Sequence, residues 1–533
     1  MTDLLRIGLS SLLAQQRALA TTSNNIANAN TQGYSRQRVD LAERSAQRLG
    51  NDWVGTGVQA GGTTRITDDI IADQLRIAAG GFHRADAFVG MAQSLDDLLA
   101  SDQTGLASTL QSFSNAVQGI ANEPSSTPAR QALLSDARNL ISRFAMMDQR
   151  MTELGGEVTS RLTATTTEIN SLGTGIADIN HKILDAGGAS SPELMDQRDR
   201  MLERLSELVQ VDTAVQRDGT LSVFVGSGQV LVLGTQSSQL AVTPGTLDAT
   251  QPQIVMRGTG PDLAITQFLT GGELGGLLDF NRELLQPTRS ELGRLAVGLA
   301  DTVNTMHRNG MDLDGQLGGN FFAVPAPQTA AATTNAGTGT VAATITGVAA
   351  LQSTNYRLTW NGTAYALQRA DNGAVVAMTG AGTGASPFVA DGLSIVVGGT
   401  PTAGDQFLIR PLDHVAGNMQ LLVTNVSDVA AASPTRTRAN LANSGTGSIS
   451  AGQVTDAANP ALLTTATIQF INATTYSVNG AGAFAYTPGG NIDVNGTRVQ
   501  IAGAPNAGDQ FVIQSNAGGV GDNRNALRIA AAL

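Results

Sequence analysis

From Leu133 to Ile183, apolar or near-apolar residues recur at steps of three or four without a break, through Ala137, Leu140, Phe144, Met147, Met151, Leu154, Val158, Leu162, Thr165, Ile169, Leu172, Ile176 and Ile179. Only a helix keeps that spacing on one face, so strands are excluded between Thr127 and Asp185. Thr127-Pro128 opens the run, with threonine as the expected cap and proline at the first helical position. Carried to Gly187, the helix approaches about 90 Å at 1.5 Å per residue. Two consecutive steps of four at Leu154, Val158 and Leu162, beside Gly155-Gly156, form a stutter that should locally unwind a supercoil.

Shorter helices surround it. Thr67 is the expected cap of one entered through Asp68 and Asp69, with Ile71, Leu75, Ala78, Phe82, Ala85, Val89 and Ala92 as its core stripe. Leu106, Leu110, Phe113, Val117 and Ile120 mark a second, stopped before Pro124. Ser191-Pro192 starts another, closing near Gln210. Residues 211 to 270 alternate as short strands, and a helix returns at Gly272, where Leu278, Leu285, Leu292, Leu299 and Met306 lie seven apart. Pro287 should kink or divide it. The expectation is a bundle of the long helix with helices 67 to 100 and 273 to 309.

The N-terminus is different in kind. Leu5, Leu12, Leu19 and Ile26 form a heptad line that has no evident partner within the chain. The segment Asn24-Asn25-Ile26-Ala27-Asn28-Ala29-Asn30-Thr31-Gln32-Gly33-Tyr34 ends that helix with amides, hydroxyls and a residue suited to positive φ. An isolated helix of this length is marginal in water, so it is expected to be disordered or loosely attached in a monomer and to gain order, with Asn24 to Tyr34, on meeting a neighbour.

Composition narrows the function. The chain has 533 residues, enough for three or four domains, and only 4% aromatics, which disfavours an aromatic-lined ligand pocket. Its net charge of −12, with Lys182 the sole lysine, argues against nucleic-acid binding. There is no cysteine, so thiol catalysis and cysteine metal sites are excluded. No apolar run approaches a membrane span, and Met-Thr-Asp-Leu-Leu-Arg is not a secretory signal; membrane insertion is not expected.

Catalytic chemistry is equally thin. Asp312-Leu313-Asp314-Gly315 places glycine fourth, where a calcium loop needs it sixth, and reads as a turn. His83, His181, His307 and His414 have no metal-binding spacing. Gly226-Ser227-Gly228 is not a nucleophile elbow, and Asp68-Asp69 and Asp96-Asp97 are explained as cap and solvated face. No catalytic residue, cofactor or metal is expected. The candidate functional residues are an assembly interface: Leu5, Leu12, Leu19, Asn24, Asn25, Ile26, Asn28, Asn30, Thr31, Gly33 and Tyr34.

That segment, continued by Ser35-Arg36-Gln37, resembles the N-terminal signature of the axial proteins of the bacterial flagellum, the rod, hook and hook-associated subunits. Further motifs narrow the resemblance to the hook-associated branch: Leu194-Met195-Asp196-Gln197-Arg198-Asp199-Arg200, Asp218-Gly219-Thr220-Leu221-Ser222-Val223, Gly271-Gly272-Glu273-Leu274-Gly275-Gly276-Leu277-Leu278-Asp279-Phe280, and Gly310-Met311-Asp312-Leu313-Asp314-Gly315 with Phe321-Phe322. Rod and hook subunits share the first signature without this series.

The resemblance implies a structural subunit of the hook–filament junction, in the extracellular flagellum, exported by the type III route without a cleaved signal. Implied partners are copies of itself in a ring, hook subunits, the next hook-associated protein toward the filament, the export apparatus and an export chaperone. It also implies a second long helix pairing with the N-terminal one, which is not found; the chain stops at Leu533 a few residues into an apparent helix, as a fragment or a truncated gene would. The rivals are a hook or distal-rod subunit and, from another class, a surface adhesin or glycan-binding protein using residues 323 to 516.

From Ala323 the composition shifts to Ala, Thr, Gly, Asn and Val. Here Ala403-Gly404-Asp405-Gln406-Phe407-Leu408-Ile409 returns as Ala507-Gly508-Asp509-Gln510-Phe511-Val512-Ile513, which implies two related β subdomains. The expected architecture is multidomain α+β, a coiled-coil-type helix and long-helix bundle with inserted all-β subdomains. Its expected parts are 1–34, the amphipathic helix and assembly motif; 35–322, the helical rod domain with a β region at 211–270; 323–415, the first β subdomain; 416–516, linker and second β subdomain; and 517–533, the start of a C-terminal helix.

Overall fold

Eight α-helices and several antiparallel sheets appear among the residues described by the computed structural model, which are 2–49, 51–100, 105–186, 191–258 and 260–533. The helices are α1 (Thr2–Ala27), α2 (Asp69–Leu99), α3 (Leu106–Asn122), α4 (Thr127–Asp185), α5 (Pro192–Leu208), α6 (Gly272–Asp279), α7 (Gln286–Arg308) and α8 (Arg524–Ala532). The chain is multidomain α+β. It forms two compact units, one of residues 1–94 and 154–284, the other of residues 95–153 and 285–533.

The long seam folds as one helix, α4, and Gly155-Gly156 does not interrupt it. Its expected limit at Gly187 lies outside the described residues. Val158, Leu162, Ile169, Ile176 and Ile183 are fully buried, as a helix with a core on one side requires. Caps fall one residue from their expected places. Asp68, rather than Thr67, caps α2, its Oδ1 accepting from the N–H groups of Ile70 and Ile71 at 3.1 and 3.2 Å. A carboxylate satisfies two orphan donors and complements the helix dipole, which a hydroxyl does less well. Ser126, rather than Thr127, faces the first turn of α4, accepting from Ala129 N at 3.4 Å.

The expected core stripe of α2 is corrected. Ile71, Leu75, Phe82 and Val89 are exposed, and the buried face is Gly80, Ala87 and Met91. Close approach explains the reversal. A Cβ at Gly80 would stand 3.1 Å from Ser206 O, and one at Gly276 would stand 2.2 Å from Arg84 O, so small residues mark where backbones meet. Arg84 then reaches Asp279 at 2.6 Å, Arg161 reaches Glu273 at 2.7 Å, and Phe88 packs edge-on against Phe280.

Pro287 does interrupt its helix. Phe280–Leu285 is a π-helical segment between α6 and α7, and Pro287 stands in the first turn of α7. Residues 211–270 make a four-stranded and a three-stranded antiparallel sheet. Two asparagines of α4 splice them to the helix: Asn180 Nδ2 donates to Leu221 O and Gly234 O at 2.8 and 2.7 Å, and Asn170 exchanges bonds with Leu240 at 2.7 and 2.8 Å.

In the other unit, Phe113 of α3 packs on Phe321 and Phe322, whose backbones are held by buried Asn304. Buried Arg130 donates to three carbonyls, those of Pro124, Val426 and Val429, at 2.7, 3.0 and 2.7 Å. His307 Nδ1 donates to Gly319 O at 2.8 Å, and Nε2 accepts from Ala430 N at 3.0 Å. Burial, above all, pulls its pKa below the ordinary value, and nearby Arg130 adds to that.

The repeat is a repeat of fold. A five-stranded sheet ordered 328–331, 406–410, 356–360, 365–369, 375–376 is matched by one ordered 435–439, 510–515, 466–472, 475–478, 481–485. Asp405 accepts from the N–H groups of Ala336, Gly337 and Thr402, and Asp509 from those of Ser444, Gly445 and Asn506. These bonds hold both carboxyls below the ordinary range. Each aspartate is thus a buried clamp between two loops as well as part of a turn.

Candidate assembly interface

Helix α1 is mounted with its leucines outward. Its small and polar residues, Ser10, Ala14, Ala18 and Thr21, face a two-stranded ribbon made of β1 (Gln37–Glu43) and, after a hairpin of β2 (Gln47–Leu49) and β3 (Asp52–Val54), β4 (Val58–Arg65). Ser10 Oγ accepts from Val58 N at 3.3 Å, and Gly57 passes so close that a Cβ there would stand 2.3 Å from that oxygen. Ala14 is 3% exposed. On the opposite side Leu5, Leu12, Leu19 and Ile26 are 74, 57, 71 and 72% exposed. The heptad line has no partner within the described residues.

The segment after α1 closes on itself. Asn25 exchanges two bonds with the Gln37 backbone, Nδ2 to O at 2.8 Å and Oδ1 from N at 2.9 Å, and Oδ1 also accepts from the Tyr34 hydroxyl at 2.8 Å. Asn28 Nδ2 reaches back to Asn24 Oδ1 at 2.8 Å, and Thr31 N donates to Asn28 O at 2.9 Å. Gly33 takes φ +72°, and a Cβ on it would stand 2.4 Å from Arg200 Cγ. Asn30 is exposed at the tip. These bonds all lie within one chain and close the segment Asn24 to Tyr34 on itself.

What the loop rests on is α5. Ser35 N donates to Asp196 Oδ2 at 3.1 Å, Arg200 donates to Gly33 O at 3.3 Å, and Gln37 Nε2 reaches Glu193 at 3.4 Å. Arg65, at the end of β4, pairs with Asp196 at 3.0 Å and also with Asp199. Partial burial first, and then the charges of Asp196 and Glu193, push the Tyr34 phenol upward, so it stays a hydrogen-bond donor. Glu193 is held below the ordinary range by its own backbone N–H and by Ser191 and Gln37.

Sequence reasoning found the loop but missed this support. Arg65, Glu193, Asp196, Asp199 and Arg200 were not among the candidate residues. The signal was the Leu194–Arg200 motif itself, whose buried Asp196 would be an odd choice on a helix face unless something bound it.

Among the described residues no three His, Asp or Glu side chains gather as metal ligands. Asp312 Oδ1 accepts from Asp314 N and Gln316 N at 2.9 and 2.8 Å, an Asx-type turn around Gly315 at φ +78°. No helix is long and apolar enough to cross a membrane among those residues.

Comparison with known proteins follows the same outline. Residues 5–34 match the flagella basal body rod protein model, residues 92–322 the helical domain of flagellar hook-associated protein FlgK, and residues 330–411 the D2-like domain of flagellar hook-associated protein 1. The Escherichia coli K12 flagellar hook-associated protein 1 is 32% identical over 439 residues, covering 81% of this chain and 80% of that protein. The chain belongs to the flagellar hook-associated protein 1 family.

The Salmonella typhimurium member is 33% identical over 444 residues, covering 82% of this chain and 80% of its own length. The solved flagellar hook junction protein FlgK of Burkholderia pseudomallei superposes with a TM-score of 0.80 at 31% identity, covering 86% of this chain and 90% of that one. The resemblance read from the sequence thus holds for the hook-associated protein 1 family, and the chain is a structural component of the flagellum.

Proposed function

We propose that this chain builds the hook–filament junction by self-assembly, with the leucine line of α1 and the docked loop Asn24–Tyr34 as its assembly surface. One observation carries the reading: four large apolar residues at heptad spacing stay exposed while the other face of the same helix is anchored. Burying such a line releases roughly 1.5–3 kcal/mol per side chain, a strong drive toward a partner. Ring neighbours are copies of itself, hook subunits lie below and the next hook-associated protein above. Export through the flagellar apparatus with a chaperone, into the extracellular flagellum, completes the proposal, and the role is structural, not enzymatic.

Leu12→Asp tests it. The variant should abolish filament attachment in cells and association of the purified chain, while its melting transition stays where it was. Normal filaments on cells carrying Leu12→Asp would remove α1 from the assembly surface.

A further inference from the structure

We infer that Asn361 is a self-modification site: the backbone nitrogen of Gly362 attacks its side-chain amide, ammonia is lost, and the residue becomes aspartate or isoaspartate. Asn361-Gly362 is one of five Asn-Gly pairs in the chain, the others being Asn309-Gly310, Asn372-Gly373, Asn479-Gly480 and Asn495-Gly496. The reaction needs a following residue with no side chain in the way, a free backbone N–H held close to Cγ, and an amide carbonyl made electrophilic. All five pairs meet the first condition by sequence. The fold grants the others to Asn361.

Asn361 stands in the exposed turn between the strands 356–360 and 365–369, and Gly362 takes φ +100° there. Asn361 Oδ1 accepts three hydrogen bonds, from Thr363 N and Thr363 Oγ1 at 2.9 Å each and from Ala364 N at 2.8 Å. Attack on Cγ turns that oxygen into an oxyanion, which donors already aimed at it stabilise. The Gly362 N–H, which must attack, and Asn361 Nδ2, which must leave, have no hydrogen-bond partner among the described residues.

The other four pairs lack this set. Gly310 N donates to His307 O at 3.1 Å and Gly373 N to Arg369 O at 3.0 Å, so both nucleophiles are engaged. Asn479 Oδ1 accepts from Thr467 N alone, at 2.8 Å, and Asn495 ties up the leaving nitrogen by donating it to Thr464 O at 3.5 Å. The duplicated β subdomain supplies a control. Asn472 Oδ1 accepts from Thr474 N at 2.9 Å and Thr474 Oγ1 at 3.0 Å in a turn of the same kind, but Ala473 follows it, and its Cβ crowds the approach to Cγ.

The step balances without an oxidant or a cofactor. Gly362 N gives its proton to a base in solvent and bonds to Asn361 Cγ; the Cγ–Nδ2 bond breaks, and Nδ2 takes up a proton and departs as ammonia. Water then opens the cyclic imide. Attack at Cγ leaves aspartate, and attack at the main-chain carbonyl leaves isoaspartate. Both products add a negative charge to the hairpin, and the second lengthens its backbone by one carbon.

The test incubates the purified chain at neutral pH, folded and in urea, and reads each pair by peptide mass mapping. In the folded chain Asn361 should convert at least about tenfold faster than the other four, and no more slowly than it does in urea. Thr363→Val removes one of the three donors and should slow Asn361 about tenfold, leaving the other sites unchanged. Ala473→Gly should open Asn472 to the same reaction. Conversion of Asn361 after any other pair, or more slowly folded than in urea, would overturn the site. An undiminished rate in Thr363→Val, or an inert Asn472 in Ala473→Gly, would show that the turn's donors do not direct the reaction.

Discussion

Helices α1 and α4 carry the same kind of apolar line and meet opposite fates. In α4 the line is the core: Ile169, Ile176 and Ile183 are fully buried against their own chain. In α1 the line faces out, and Ser10 and Ala14 are what the chain buries. The difference teaches that periodicity certifies a helix but not the address of its partner. A leucine face needs another apolar face, whereas a serine and alanine face suits a close backbone, and the Gly57 ribbon supplies one.

The sharpest way to break this comparison is to put a carboxylate in each line. Ile169→Asp should cost at least about 4 kcal/mol, because a charge would sit unpaired in the core, and should collapse the melting transition of its unit. Leu12→Asp should move that transition by no more than about 0.5 kcal/mol. Equal losses would mean that α1 is packed within the chain.

Glycines sharpen it next. Gly276→Ala pushes a Cβ into the Arg84 carbonyl and should destabilise by about 1–3 kcal/mol, by urea unfolding. Gly8→Ala, with nothing within 4 Å, should instead stabilise α1 by about 0.4–1 kcal/mol, seen as added helicity.

Acid separates the helical core around His307 from the β subdomains. The folded pKa of His307 is lowered, so its contribution is full above 6.5, the ordinary value, and drains away as pH falls below it, when the unfolded chain binds the proton first. Asp405 and Asp509 are lowered too, but from 3.8, so their clamps persist until pH falls below that. The unfolding midpoint should therefore begin to drop between pH 6.5 and 5, and His307→Gln should flatten that slope. An unchanged slope in the variant would assign the effect elsewhere.

The smallest effect belongs to the docked loop. Tyr34→Phe removes one hydrogen bond to Asn25 and should cost about 1 kcal/mol locally, read as faster amide exchange over residues 28–37 with the global melt unmoved.

Much of the architecture was legible because it is local. Proline and apolar steps of three and four located α3, α4 and α5, and the Gly-Asp-Gln-Phe repeat announced two sheets that share one strand order. The loop after α1 was legible too, since asparagine, threonine and glycine end a helix and turn a chain. Less legible was α2, whose larger residues formed a convincing stripe and yet lie outside, while Gly80, Ala87 and Met91 face in. Size misled there because burial follows the distance between backbones, which no single helix encodes.

By itself the sequence determined which segments are helices, where the chain turns, that the β part is duplicated, and that the chain resembles flagellar axial subunits. Those properties depend on neighbours three or four residues away or on a repeated string. The tertiary structure alone decided that α1 turns its leucines outward and that Asp196, Arg65 and Arg200 carry the loop after α1. The Asp196–Ser35 bond joins residues 161 positions apart. Such pairings exist only once the backbone has brought the partners together, and a carboxylate buried on α5 looks like a defect until the loop that binds it is in place.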